Sequence, residues 1–74
     1  MNIDKIQDVL SENLNEGCRI IREKGELSPI IDWVDWVQQS IDEEDIQVEV
    51  TFQDGTMEIF KKGVKLRQIW HEDA

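Results

Sequence analysis

Tyrosine is missing from this chain, and histidine, cysteine and proline occur once each, as His71, Cys18 and Pro29. A lone cysteine closes no internal disulfide, so nothing points to an oxidising compartment. One histidine close to the C-terminus, with no serine or cysteine nucleophile motif to work with, makes no catalytic set; an enzyme is not expected. No Cys/His cluster has zinc spacing. The consecutive acids Asp42, Glu43, Glu44 and Asp45 lack the alternating ligands and central glycine of an EF-hand, so neither a metal nor another cofactor is expected. The four glycines form no phosphate-cradling loop. No apolar run approaches the ~18 residues of a membrane span. The opening MNIDKIQDVL has neither a basic n-region nor an apolar h-region, so no secretory leader is expected and the cytoplasm is the expected location.

Basic residues are scarce too. Eight Lys and Arg stand against seventeen Asp and Glu, for a net charge of −9. That balance argues against direct contact with nucleic acid or an anionic lipid surface. A hydrophobic fraction of 39% over 74 residues supports one thin core, hence a single domain over residues 1–74. So small a chain is marginally stable unless a second copy helps.

Apolar residues of the first part recur at helical spacing. At about 100° per residue, Ile3, Ile6, Leu10, Leu14, Gly17 and Ile21 share one stripe, which predicts a helix capped by Asn2 and stopped at Lys24-Gly25. Gly17 on that stripe is either a tolerated helix glycine or a point of close approach. Ser28-Pro29 reads as an N-cap followed by proline at the first helical position. Ile30, Trp33, Val34, Val37 and Ile41 continue as a second helical stripe, ending near the acids from Asp42 to Asp45.

From Ile46 the period changes to two. Ile46, Val48, Val50 and Phe52 alternate with polar residues, and Asp54-Gly55 predicts a two-residue type I′ hairpin with Phe52 opposite Met57 and Val50 opposite Ile59. A second turn at Lys62-Gly63 leads to a third strand from Val64 to Trp70, with Ile59 facing Leu66 and Glu58 facing Arg67. The expected fold is α+β: two N-terminal helices on one face of a three-stranded antiparallel meander, in the order α-α-β-β-β. In that register Phe60 and Ile69 lie on the uncovered face and suggest self-association, possible as a homodimer. Trp33 and Trp70 are assigned to the core.

The charge map carries the functional expectation. No basic residue falls between Lys24 and Lys61, where ten acids stand in 36 positions. On the expected first helix, Asp4, Asp8, Glu12 and Glu16 follow at i,i+4 and form a line of carboxylates roughly 18 Å long. Such a run also suits a merely solvated face. Trp36 falls off the second stripe beside Asp32 and Asp35, placed either to stack on an arginine or to complete the core edge. A concentrated negative face is able to compete for a basic groove that normally holds phosphate. Asp4, Asp8, Glu12, Glu16, Asp32, Asp35, Trp36, Asp42, Glu43, Glu44 and Asp45 are therefore the candidate partner-binding residues.

In size, acidity and expected α+β layout the chain resembles the small DNA-mimic inhibitors that bacteriophages use in host takeover. No motif accompanies the resemblance, so it transfers no site residue. It implies a basic DNA-binding partner, such as an HU-like nucleoid protein or a nuclease, whose groove is blocked in the host cytoplasm. The alternative expectation is a small homo-oligomeric adaptor that binds a partner through the sheet face at Phe60 and Ile69.

Overall fold

The computed structural model describes residues 1–38, 41 and 45–74. Six strands carry the fold: β1 (Gln7–Leu10), β2 (Cys18–Ile21), β3 (Ile31–Gln38), β4 (Ile46–Phe52), β5 (Met57–Lys61) and β6 (Lys65–Trp70). They make two three-stranded antiparallel sheets, ordered β1-β6-β2 and β3-β4-β5. Helix among the described residues is confined to short 3-10 turns, including Ile3–Lys5, Ser11–Asn13 and His71–Asp73. The two expected N-terminal helices do not form, and the α+β meander is replaced by an all-β fold. None of the described helices is long and apolar enough to cross a membrane.

Each expected helix fails for a local reason. Gly17 sits at φ +87°, a left-handed conformation that no right-handed helix contains, so the first stripe is cut before β2. In the second segment a β-bulge imitates a helical period. Ile31 pairs with Phe52 and Trp33 with Thr51, which leaves Asp32 as the extra residue. The bulge resets the alternation, so Ile31 and Val34, three apart, both face the core opposite Phe52 and Val50. Three β-branched residues and two tryptophans among the eight of this strand favour the extended chain. Ser28-Pro29 does not open a helix either. Ser28 is buried, its Oγ accepts the Ile20 N–H at 2.7 Å, and its own N–H donates to the Ile20 carbonyl at 2.9 Å.

The three C-terminal strands stand where the period-two pattern places them, but their pairing differs. Thr51, not Phe52, lies opposite Met57, and Glu49, not Val50, lies opposite Ile59. The cause is the turn. A type I′ turn requires positive φ at both central residues, yet only Gly55 (φ +88°) has it. Phe52 N–H instead donates to the Thr56 carbonyl at 2.8 Å, enclosing a three-residue loop. Asp54 holds this loop by accepting the Thr56 N–H at 2.9 Å and the Thr56 hydroxyl at 2.5 Å, bonds that lower its carboxyl pKa. A one-residue slip turns every β5 side chain over. Phe60 therefore packs on the core opposite Val48, while Ile59 points outward and is 54% exposed.

β6 does not continue a meander. It crosses to the first sheet and pairs with β1 and β2, placing Gln68 between Gln7 and Ile20, and Ile69 opposite Arg19. Ile69 is completely buried, so neither Phe60 nor Ile69 forms the uncovered apolar surface expected of them. Glu58 takes a bidentate ion pair with Arg22, with Nη1–Oε2 2.8 Å and Nη2–Oε1 2.5 Å, instead of facing Arg67. Gln68, also fully buried, is satisfied at both ends: it donates to Gln7 Oε1 at 2.9 Å and accepts the Asn15 N–H at 3.0 Å.

The core joins Leu14, Cys18 and Ile20 of the first half to Ile31, Val48, Val50 and Phe52 of the second. At the seam, Gly17 N–H donates to the Ile31 carbonyl at 2.8 Å, and the Gly17 carbonyl accepts the His71 N–H at 3.1 Å. His71 Nδ1 donates to that carbonyl as well, at 2.9 Å. Cys18 is packed in this core, and burial raises its thiol pKa. Its reaction with a thiol reagent should be strongly suppressed in native buffer and reach the free-cysteine rate only in denaturant. Equal rates in the two conditions would contradict this packing.

Candidate partner-binding face

Because β6 returns to the first sheet, the two sheets carry different charge. The strands β1, β2 and β6 hold three bases, Arg19, Lys65 and Arg67, and one acid, Asp8. The strands β3, β4 and β5 hold four acids, Asp32, Asp35, Glu49 and Glu58, and one base, Lys61. Four of the ten acids between Lys24 and Lys61 thus fall on the strands of one sheet.

Antiparallel register sets out the outer face of that sheet in cross-strand rows. Trp33, Thr51 and Met57 make one row, Asp35, Glu49 and Ile59 the next, and Val37, Gln47 and Lys61 the third. Trp33 is 57% exposed and Met57 52% exposed, so three large apolar side chains, counting Ile59, lie open on it. This corrects the assignment of Trp33 to the core. Trp70, 43% exposed, is at best a core edge, with its ring 4.4 Å from that of His71. Asp35 and Glu49 are directly opposite one another, and among the described residues no ion pair reaches either. Like charges so placed destabilise a sheet by a few tenths of a kcal/mol, roughly.

The inner face of β3 carries the second tryptophan. Trp36 lies opposite Val48 at the open end of the core, 54% exposed. Together with Val34 it lines a shallow cleft whose other wall is Glu12, Leu14, Asn15 and Glu16. The chain thus brings Glu12 and Glu16 to Trp36, although the helix expected to display them does not exist. Glu12 Oε1 also accepts the Gly63 N–H at 3.0 Å, which fixes that carboxylate beside the turn before β6.

The remaining expected site residues scatter. Asp4 lies in the first 3-10 turn, and Asp8 lies on β1 opposite Arg67, so Asp4, Asp8, Glu12 and Glu16 form no straight line of carboxylates. Asp32 is the exposed bulge residue, Asp35 is on the outer face, and Asp45 is exposed just before β4. Asp42, Glu43 and Glu44 lie outside the described residues. Sequence reasoning missed Trp33, Glu49, Met57 and Ile59. The alternation over β4 already places Glu49 on the polar side without marking it as a site residue, and the outward turn of Met57 and Ile59 depends on the hairpin register.

A second cleft opens on the other sheet. Its floor is apolar, from Val9, Leu10, Ile20, Ile21 and Leu66, and Arg22, Lys65 and Arg67 stand at its rim with Asp8 and Glu23. Arg22 is engaged by Glu58 from the other sheet, and Asp8 lies across the strands from Arg67. Among the described residues no group of three or more His, Cys, Asp or Glu side chains is arranged to hold a metal ion. Comparison with known protein families, curated proteins and solved structures returns no match.

Proposed function

We propose that this protein is a non-enzymatic, acidic binding protein that engages a basic nucleic-acid-binding protein and blocks its groove by charge. The observation that carries this reading is the segregation of acids onto the β3-β4-β5 sheet, with exposed tryptophans on both faces of β3. A sheet with four acids to one base is of little use for solubility alone, since an even mixture of signs serves solubility without self-repulsion. It does speed encounter with a cationic groove and compete there with phosphate. Size and charge still resemble the small phage inhibitors, whereas the α+β layout no longer contributes. With no helical line of carboxylates, the mimicry is of charge density rather than phosphate spacing. An HU-like nucleoid protein or a nuclease in the host cytoplasm fits such a partner.

The test is capture from nuclease-treated bacterial lysate, elution in a salt gradient, and competition by duplex DNA. The expected result is a basic DNA-binding protein, released by moderate salt and displaced by DNA. Affinity insensitive to salt would overturn the reading. It would favour the second one, a self-associating adaptor, which the exposed Trp33, Met57 and Ile59 support. That adaptor would use this outer face in place of Phe60 and Ile69.

A further inference from the structure

β3 is both the longest strand and the edge of its sheet. Ile31 accepts the Gly17 N–H, but beyond it, from Asp32 to Gln38, no described element other than β4 hydrogen-bonds the β3 backbone. An edge of this length is an open template for another strand. Natural edges are commonly guarded by lysine, proline or a short run. This one has its bulge at the start and then six further residues whose single charge, on Asp35, is negative.

Both faces beside the edge offer the same chemistry. On the outer face Trp33 stands next to Asp35 and Glu49, two carboxylates that repel in the free chain. On the inner face Trp36 stands across a shallow cleft from Glu12 and Glu16. Side chains of a strand added to β3 would alternate between these two faces. Each would meet an aromatic ring and a pair of carboxylates, the surroundings in which an arginine or lysine is held by charge and by the ring face.

We propose that the β3 edge is a strand-addition site for an extended, cationic segment of a protein partner. The inference rests on the cation-binding reading above and adds the mode of binding. The added segment takes main-chain hydrogen bonds from β3, and basic side chains at neighbouring positions, which point to opposite faces, straddle the sheet. Charge selects this occupant. A second copy brings another net charge of −9 to the same edge, and nucleic acid is repelled by it.

Two peptides of equal charge test the proposal on the full chain: an octapeptide of two Arg-Arg-Thr-Thr repeats, which presents arginine to both faces of the sheet, and the same peptide N-methylated at every amide. Tryptophan fluorescence reads affinity, and amide hydrogen exchange reads where the peptide lies. The expected result is saturable binding of the first peptide, at least tenfold weaker binding of the methylated one, and new protection confined to amides of residues 32–38. Glu12→Gln with Glu16→Gln, and separately Asp35→Asn with Glu49→Gln, should each weaken binding several-fold while the chain stays folded. Equal binding of both peptides, or protection elsewhere, would overturn strand addition and leave the charge-based function standing. Binding of neither peptide, with the basic lysate partner still captured, also removes only the edge site. Loss of peptide binding together with failure to capture any basic partner removes both.

Discussion

Ile31→Ala is expected to lower the unfolding free energy by about 3–4 kcal/mol, within the range for a buried isoleucine truncated where the surroundings cannot close the gap. The site has little freedom to collapse. Ile31 is fully buried, lies opposite Phe52, and packs in one cluster with Leu14, Cys18 and Ile20 from the other half of the chain. Its carbonyl also accepts the Gly17 N–H, so the residue is anchored from both sheets at once. A cavity there removes contacts from two layers. A domain of this size has a total stability of only about 5 kcal/mol or a little more, so the variant should be partly unfolded near body temperature. Urea titration followed by tryptophan fluorescence measures the effect. Ile31→Val, which removes one methylene, should cost about 1 kcal/mol and keep the same slope against urea. A loss below about 1 kcal/mol for the alanine variant would mean that the two sheets are not held by a shared core.

How much of this fold was legible follows from where a period could be read without interruption. Val48, Val50 and Phe52 alternate with Glu49 and Thr51 over a full strand, and β4 is found where that pattern places it. β3 hid its period because one bulge at Asp32 converts an alternation into a spacing of three. β1 and β2 are only four residues each, too short to override a chance helical stripe, and the break at Gly17 is a backbone event. The site was legible as composition and not as position. Four of the acids between Lys24 and Lys61 do share a sheet, and Trp36 does stand beside carboxylates, but they are Glu12 and Glu16 from a distant turn. Trp33 faces out because of the bulge, and Met57 and Ile59 join it only because a three-residue loop replaced a two-residue turn. Local sequence contains Asp54-Gly55 either way, and the loop that forms is the one in which Asp54 accepts both the Thr56 N–H and its hydroxyl.

Gly17→Ala is the second large effect, expected at about 2–4 kcal/mol from two separable causes. One is conformational: at φ +87° an L side chain is strained. The other is steric, because a Cβ on Gly17 would lie 2.2 Å from Cζ3 and 2.7 Å from Cη2 of Trp70. Trp70 is paired with Cys18 across the sheet and its ring lies against His71, so relief requires moving a ring that closes the core edge. Gly25 supplies the control. Its φ of +83° is nearly the same, yet nothing lies within 4 Å of the position its Cβ would take. Gly25→Ala should therefore show the conformational cost alone, about 1 kcal/mol. The difference between the two variants isolates the clash. Combining Gly17→Ala with Trp70→Leu tests the same partition from the other side: relative to Trp70→Leu alone, adding the alanine should cost no more than Gly25→Ala does. If the full penalty at position 17 persists without the tryptophan ring, the close approach is not its cause. The loss would then come from the hydrogen bonds that Gly17 makes to Ile31 and His71, which any distortion of its backbone would lengthen.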